Sequence, residues 1–206
     1  MKETLIVVDV QRDFYHPSGS LYVKGGEQVV ENIAKYIAEH AKDLDKVIFT
    51  LDWHPFDIKA YREPQIAWPV HCTQNSEGAG VANDLIRTCI RENVKMEFFY
   101  KGMEAPHTEY GAFENIGTWC EGDGNLVVVT NNRANNCTTF IKTRNVVVAG
   151  IAGDYCVMNT IKNLKKYDGP VEMDIFTFMD GICSIDETNA TIKQYCIENH
   201  ISAVGI

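Results

Sequence analysis

A dense apolar run from Val146 to Ala149 is the feature that most constrains how this chain can fold. Such a run is typical of a strand buried on both faces, and it leads through two glycines to Cys156, after which a helical pattern begins. Cys156 therefore lies at a strand-to-helix turn, where free backbone N–H groups and the helix dipole lower the pKa of a thiol. Two interpretations follow: a catalytic nucleophile, or the small buried hydrophobe that a free cysteine usually is.

Apolar runs and helical patterns alternate along the rest of the chain. The runs that predict further strands are 4–10, 46–51, 96–100, 171–179 and 201–204. The patterns that predict helices are 27–44, 81–93, 111–120, 157–167 and 186–199. Asp186 is the predicted N-cap of the last helix. This alternation predicts an α/β fold with a parallel sheet covered by helices on both faces. The length of 206 residues predicts a single domain, residues 1–206.

Composition narrows the class of partner. The hydrophobic share of 45% and the charged share of 23% are typical of a soluble folded protein. A net charge of -9 opposes binding to nucleic acid or to an acidic membrane, so a small-molecule substrate is the better expectation. A strand pattern begins at once and no apolar run could span a bilayer, which favours the cytoplasm. Seven cysteines without a CxxC pair predict reduced thiols rather than disulfides or a zinc finger.

Four reactive side chains each follow a different predicted strand. They are Asp9, Asp52, Lys101 and Cys156. Because parallel strands end at the same edge of a sheet, all four side chains are expected on one edge. This is the edge at which ligands of open α/β folds bind. Together they supply a nucleophile, a candidate base and a cation, which are the parts needed for acyl transfer through a thioester. Taken singly, the plainer interpretations are an aspartate that bonds a turn and a solvated surface lysine.

A candidate metal site lies close by in the sequence. Asp52 and His54 project to the same side of an extended chain, and His71 follows in a long irregular stretch. Two imidazoles and a carboxylate suit Zn²⁺, Mn²⁺ or Fe²⁺. The alternative is a pair of histidines that are hydrogen-bonded within a loop.

The order of these motifs resembles the isochorismatase-like cysteine hydrolases and, within them, the nicotinamidase/pyrazinamidase group. The segments that carry the resemblance are 9–14, 52–55, 68–72, 101–102, 110–113 and 150–157, so it extends over nearly the whole chain. The resemblance implies a three-layer α/β/α fold with a six-stranded, mostly parallel sheet.

The resemblance also implies a mechanism. Cys156 would attack the carboxamide carbon of nicotinamide, while Asp9 takes the thiol proton and passes it to the departing ammonia beside Lys101. The oxyanion would be held by the N–H groups of Ala152 and Cys156, with a cis peptide between Ile151 and Ala152. Water would then hydrolyse the thioester.

A pyridine site is implied in the same way. Phe14, Trp68 and Tyr110 would pack the ring, and a divalent metal on Asp52, His54 and His71, with zinc expected and manganese or iron as alternatives, would bind the ring nitrogen. The family has a further histidine ligand where this chain has Ile58. The site could therefore bind metal more weakly, recruit Asp57, or bind none.

Three hypotheses of function follow from these residues. The first is a nicotinamidase-type amidohydrolase. The second is a related cysteine hydrolase of another small amide or of an isochorismate-like substrate, with a degenerate metal site at Ile58. The third is a binding protein that kept the fold without the activity. An apparent insertion near 126–136, interpreted as a hairpin, could cover the site or mediate contacts in a homo-oligomer.

Overall fold

The structure is a computed structural model, which describes residues 2–56, 68–103, 109–113, 118–122, 127–130, 141–166 and 172–205. The described strands form one sheet in the order β5-β4-β3-β2-β1-β6-β7-β8. The strands are β1 (Glu3–Val8), β2 (Leu44–Asp52), β3 (Met96–Lys101), β4 (Thr118–Gly122), β5 (Val127–Thr130), β6 (Asn145–Ile151), β7 (Asp174–Cys183) and β8 (Ser202–Val204). The helices are α1 (Arg12–Tyr15), α2 (Gly26–His40), α3 (Asn83–Arg91), α4 (Met158–Lys166) and α5 (Ala190–Glu198).

Six neighbouring strands of this sheet are parallel. Strands β3, β2, β1, β6, β7 and β8 pair in parallel register along the whole row. The inner strands are buried on both faces, and their β-branched runs suit that position. The predicted α/β fold with a six-stranded, mostly parallel sheet is therefore confirmed.

Helices cover the two faces of the sheet and make it the middle of three layers. Alternate residues of β1 point to opposite faces, as the pleat of a strand requires. Leu5 and Val7 pack in the cluster that contains the buried residues of α2 and α3. Ile6 and Val8 pack in the cluster that contains those of α4 and α5.

A predicted helix over 111–120 is wrong at its C-terminal end, where Thr118–Gly122 forms β4. Strand β4 pairs antiparallel with β3, and its Cys120 lies opposite Phe98. Strand β3 would otherwise end the sheet with unpaired backbone groups, and pairing with β4 satisfies them. Strand β5 pairs antiparallel with β4. Leu126 and residues 131–136 of the proposed insertion lie outside the described residues, as do Asp57 and Ile58.

Two predicted helix boundaries also differ from the structure. Helix α2 ends at His40, and Leu44, predicted as its last residue, begins β2 instead. Helix α5 begins at Ala190 with Asn189 as its N-cap, so the prediction of Asp186 as the N-cap is wrong. The Asp186 carboxylate instead accepts hydrogen bonds from the backbone of Thr188 and Thr191, at 2.9 and 3.0 Å.

Membrane-crossing helices were sought in the described chain. None of its helices combines the length and the apolar character that a membrane span requires.

Candidate active site

Four neighbouring parallel strands bring the predicted reactive residues together. Asp9 follows β1 directly, Asp52 and Lys101 are the last residues of β2 and β3, and Cys156 lies in a helical turn after β6. Asp52 and Lys101 are register partners in the sheet. All four side chains are buried. The expectation that they share one edge of the sheet is met because β3, β2, β1 and β6 are adjacent.

The Lys101 ammonium lies at the centre of this group. Its Nζ is 2.8 Å from Oδ2 of Asp9 and donates a hydrogen bond to Oδ1 of Asp52. It also donates to the backbone carbonyl of Glu109 at 3.3 Å and approaches Sγ of Cys156 at 3.9 Å. Lys101 is only 2% exposed, so the two carboxylates compensate a charge that burial alone would disfavour. One cation therefore contacts the candidate base, the candidate nucleophile and the candidate metal ligand.

The protonation of Asp9 and Cys156 is set mainly by burial. Burial raises the pKa of Asp9 and the nearby Asp52 charge adds to this, while Lys101 opposes it. Burial also raises the pKa of the Cys156 thiol well above its usual range. Lys101 acts to lower this pKa, and the two aspartates act to raise it. The net direction is opposite to the lowered thiol pKa that the sequence argument expected, because burial and the two aspartates outweigh the effect of Lys101. Cys156 rests as a neutral thiol and needs a base.

The candidate base, Asp9, is close to the thiol. A carboxylate oxygen of Asp9, one of Asp52 and the sulfur of Cys156 all lie within 4.8 Å of one another. The other oxygen of Asp9, Oδ1, accepts a hydrogen bond from Oγ1 of Thr50 at 2.7 Å, which orients the carboxylate. Asp9 has a positive φ of 51°, a conformation that is uncommon outside glycine and recurs at functional sites. This geometry can move a proton between sulfur and carboxylate.

The turn that carries Cys156 packs tightly against β1. The peptide bond between Ile151 and Ala152 is cis, the geometry that the family resemblance implies. The Ala152 carbonyl accepts hydrogen bonds from the backbone of Tyr155 and Val157, at 3.1 and 3.0 Å. Gly150 has φ +132°, and a Cβ there would lie 2.1 Å from the carbonyl oxygen of Val8, so no larger residue fits.

The three predicted metal ligands also meet. Oδ2 of Asp52 lies 3.4 Å from Nε2 of His54 and 3.7 Å from Nε2 of His71. Nδ1 of His54 is 3.0 Å from the carbonyl of Gly102, and Nδ1 of His71 is 2.7 Å from that of Pro69. Because a carbonyl only accepts, both Nδ1 atoms carry a proton, and both Nε2 atoms face the Asp52 carboxylate.

This donor set fits a divalent cation. Its ligand atoms lie within 4.8 Å of one another, and all three residues are buried. Burial alone would raise the pKa of Asp52, but Lys101 and His54 outweigh it and hold that pKa well below its usual range. The carboxylate is therefore ionised and available as a ligand. Two imidazoles, each oriented by a backbone carbonyl, and a carboxylate are ligands that zinc prefers in proteins.

Two supporting residues were missed by the sequence argument. Gln11 donates from Nε2 to the Asp52 carbonyl at 2.8 Å, and its Oε1 accepts from the Asp52 backbone N–H at 2.8 Å. Asp13 accepts from the backbone N–H of Cys72 at 2.7 Å and so holds the segment that carries His71. Both lie within the 9–14 segment, but only Asp9 and Phe14 were singled out there.

A largely apolar pocket, lined in part by Cys156, contains about 410 Å³ of empty space that is partly open to solvent. The three predicted aromatic residues line it: Phe14, Trp68 and Tyr110. Nε1 of Trp68 donates to the Tyr110 hydroxyl at 3.1 Å, and the Phe14 ring lies 5.3 Å from that of His71. The apolar, aromatic lining suits a small aromatic ligand.

The pocket has further walls that sequence reasoning did not find. They are Leu21, Val23, Tyr155 and Ile185. The Tyr155 ring contacts those of Trp68 and Tyr110, with centroid distances of 5.5 and 5.4 Å. Tyr155 is next to the predicted nucleophile in sequence, and that position was the available signal. The other three come from loops whose path no periodicity predicts.

Comparison with known proteins agrees with the site. Residues 3–101 match the isochorismatase domain. Across 196 residues the chain is 33% identical to the nicotinamidase/pyrazinamidase of Mycobacterium tuberculosis, with 92% of each chain covered. It is 28% identical to the nicotinamidase of Saccharomyces cerevisiae across 182 residues, 77% of this chain and 79% of that protein.

Solved structures share the fold. The pyrazinamidase of Pyrococcus horikoshii, crystallised in complex with zinc, superposes with a TM-score of 0.72 at 24% identity, with all of both chains covered. The yeast nicotinamidase gives 0.74 at 23% identity over 98% of this chain and 99% of its own. The sequence matches define an amide hydrolase. The chain belongs to the isochorismatase-like hydrolases, in the nicotinamidase/pyrazinamidase group.

Proposed function

We propose that this enzyme hydrolyses nicotinamide and pyrazinamide-like amides to the carboxylic acid and ammonia through a thioester on Cys156. The observation that carries the proposal is the buried group of Asp9, Lys101 and Cys156 beneath an aromatic pocket. Relatives named as nicotinamidases support the class of substrate.

The first half of the reaction forms the thioester. Asp9 takes the proton of the Cys156 thiol as the sulfur attacks the carboxamide carbon, and the carbonyl oxygen becomes an oxyanion. The N–H groups of Ala152 and Cys156 hold that oxyanion. Protonated Asp9 then gives its proton to the amide nitrogen, the C–N bond breaks and ammonia departs. Lys101 stabilises the negative charge on Asp9 and near the sulfur.

The second half consumes one water. Asp9, again ionised, takes a proton from water as the water oxygen attacks the thioester carbon. The C–S bond then breaks, the acid is released, and the sulfur regains its proton from Asp9. The pKa of Asp9 is raised and is therefore closer to neutral pH, so Asp9 can act as both base and acid in one turnover.

The ring of the substrate lies between aromatic side chains. Phe14, Trp68 and Tyr110 would pack the pyridine ring, with Tyr155 beside them. Asp52, His54 and His71 would hold the cation, zinc by preference and manganese or iron as alternatives. When bound, it would supply a Lewis acid for the ring nitrogen. Asp52 also orients Lys101, so it serves both parts of the site.

An ammonia-release assay with nicotinamide tests the proposal. The wild-type enzyme should release ammonia and nicotinic acid in equal amounts, and Cys156→Ala should lose the activity by at least about 10³-fold because it lacks the nucleophile. Cys89→Ala is the matched control, since Cys89 is a buried cysteine of α3. The proposal fails if the wild type releases no ammonia, or if Cys156→Ala releases it as fast as the control.

One observation favours a second candidate, a related hydrolase of another small amide or an isochorismate-like substrate. Ile58 stands where the family has a further histidine ligand, and an isoleucine cannot bind a metal. Metal analysis of protein purified without chelator separates the two functions. Stoichiometric zinc, manganese or iron supports the nicotinamidase, whereas a metal-free protein that hydrolyses other amides supports the alternative.

A further inference from the structure

Glu109 makes two hydrogen bonds to consecutive residues at the end of β3. Its Oε2 accepts from the backbone N–H of Gly102 at 2.7 Å, and its backbone carbonyl accepts from Nζ of Lys101 at 3.3 Å. Lys101 and Gly102 are buried, while Glu109 is partly exposed at the outer side of the group. A charged acceptor on a buried N–H makes one of the stronger hydrogen bonds available to a backbone.

Gly102 connects this contact to the candidate metal site. Its carbonyl oxygen is the partner of Nδ1 of His54, at 3.0 Å. Its φ is +67°, and a Cβ there would lie 2.4 Å from Cε1 of the His54 ring. The backbone of Gly102 therefore fits closely against His54 and fixes the plane of its ring. Whatever holds Gly102 in place also directs Nε2 of His54 toward Asp52.

The Lys101 ammonium depends on Glu109 as well. Its three polar oxygen contacts are Oδ2 of Asp9, Oδ1 of Asp52 and the carbonyl of Glu109. The Asp52 carboxylate and the Glu109 carbonyl accept hydrogen bonds from this ammonium, Sγ of Cys156 lies at 3.9 Å as a further acceptor, and Asp9 forms an ion pair with it. The Glu109 carbonyl stays in place only while residue 109 remains against the end of β3. The Glu109 carboxylate provides that attachment through Gly102.

We propose that Glu109 is a positioning residue that acts on both halves of the site, on Lys101 and on His54 by way of Gly102. Its action on turnover rests on the proposed function, whereas its action on cation affinity does not. Groups that orient a metal-binding histidine usually change metal affinity or activity by about 10 to 100-fold when they are removed. Glutamine keeps an acceptor oxygen for the Gly102 N–H, although the contact loses the strengthening effect of the charge, so glutamine should retain most of the positioning effect.

The experiment compares Glu109→Ala and Glu109→Gln with two controls. Glu97→Gln changes a buried glutamate of the same strand that pairs with Lys46 at 2.9 Å, and it reports the effect of lost stability alone. Glu39→Ala removes an exposed glutamate of α2. For each protein, zinc affinity is measured by competition with a chromogenic chelator, turnover with nicotinamide gives kcat and KM, and thermal unfolding gives Tm.

Glu109→Ala should bind zinc at least about 10-fold more weakly and show a kcat at least about 10-fold lower, while Glu109→Gln stays within about threefold of the wild type. Glu97→Gln should lower Tm without weakening zinc binding or lowering kcat. Wild-type zinc affinity in Glu109→Ala, or equal losses in the alanine and glutamine variants, would overturn the inference. If the wild type binds zinc but releases no ammonia, only the proposed function fails, and the zinc affinities of the variants still test the role of Glu109. If the wild type neither binds zinc nor releases ammonia, both the proposed function and the role of Glu109 fail.

Discussion

The ammonium of Lys101 lies 2.8 Å from Oδ2 of Asp9, where neither side chain is more than 2% exposed. The pairing keeps a carboxylate in a buried place where burial would otherwise favour its neutral form. The same ammonium approaches the sulfur of Cys156 at 3.9 Å. A base and a nucleophile that share one cation can exchange a proton without moving a net charge out of the site.

Replacing Asp9 by asparagine should separate thiol ionisation from turnover. The amide keeps the shape of the side chain but cannot carry a proton between sulfur and leaving group, so kcat should fall by at least about 10²-fold. Burial is the main cause of the raised pKa of Cys156, and the Asp9 charge adds to it. Without that charge the thiol pKa falls, so Cys156 should be alkylated several-fold faster at pH 7.

The two readouts for Asp9→Asn are ammonia release and iodoacetamide labelling of Cys156, followed by peptide mass spectrometry. Asp45→Asn, which changes an exposed aspartate of β2, serves as the control and should alter neither. Turnover within about tenfold of the wild type would show that Asp9 is not the general base.

Replacing Gly102 by alanine should damage the metal site first. The new Cβ would lie 2.4 Å from Cε1 and 2.6 Å from Nδ1 of His54, at a φ of +67° that disfavours alanine. The His54 ring has to move away from Asp52, so zinc affinity should fall by at least about 10-fold. Gly205→Ala is the control, because a Cβ there would have nothing within 4 Å. Unchanged zinc affinity in Gly102→Ala would contradict the role of His54.

Local sequence patterns predicted the centre of the fold well. Val146 to Ala149 and Leu5 to Val8 form buried strands because such β-branched and apolar runs suit the middle of a parallel sheet. Thr118–Gly122 shows where patterns fail. It forms a strand through pairing with β3 and β5, and those tertiary hydrogen bonds override the local preference for a helix.

The candidate site divides in the same way. Asp9, Asp52, Lys101 and Cys156 could be brought together in advance because parallel strands end at one edge. The raised pKa of Cys156 could not be predicted from the sequence, since the depth of burial is a property of the assembled core. Nor could Glu109 be found, because its contact with Gly102 depends on the path of a loop.

Replacing Asp154 by alanine should loosen a wall of the pocket. Its carboxylate accepts from the backbone N–H groups of Ile185 and Asp186, each at 3.0 Å, and so attaches the loop that carries Ile185 to the Cys156 turn. Without this attachment, substrate should bind less tightly. We expect KM for nicotinamide to rise about 3 to 10-fold while kcat changes less than about threefold.

Glu187→Ala is the matched control for Asp154→Ala. It breaks only the exposed ion pair between Glu187 and Lys24, 2.8 Å apart, which attaches the same loop from outside. Such surface pairs contribute about 0 to 1 kcal/mol, so KM should stay near the wild-type value. Equal KM values for the two variants would show that Asp154 does not support the pocket wall.

The stability of the protein should depend on pH through Asp186. Burial acts to raise the pKa of Asp186, but its hydrogen bonds with Thr191, Thr188 and Asn189 outweigh it and lower that pKa in the folded state. A group with a lowered folded pKa stabilises the protein above its unfolded pKa, about 3.9 for aspartate, and loses that effect as pH falls through the folded value. Asp186→Ala should therefore cost about 1 kcal/mol at pH 7, because its hydrogen bonds with the backbone of Thr188 and Thr191 are lost, with a difference from wild type that shrinks below about pH 4. Urea unfolding at pH 7, 5 and 3 measures this, with the exposed Asp45→Ala as control, and a difference that stays constant across these pH values would contradict the assignment.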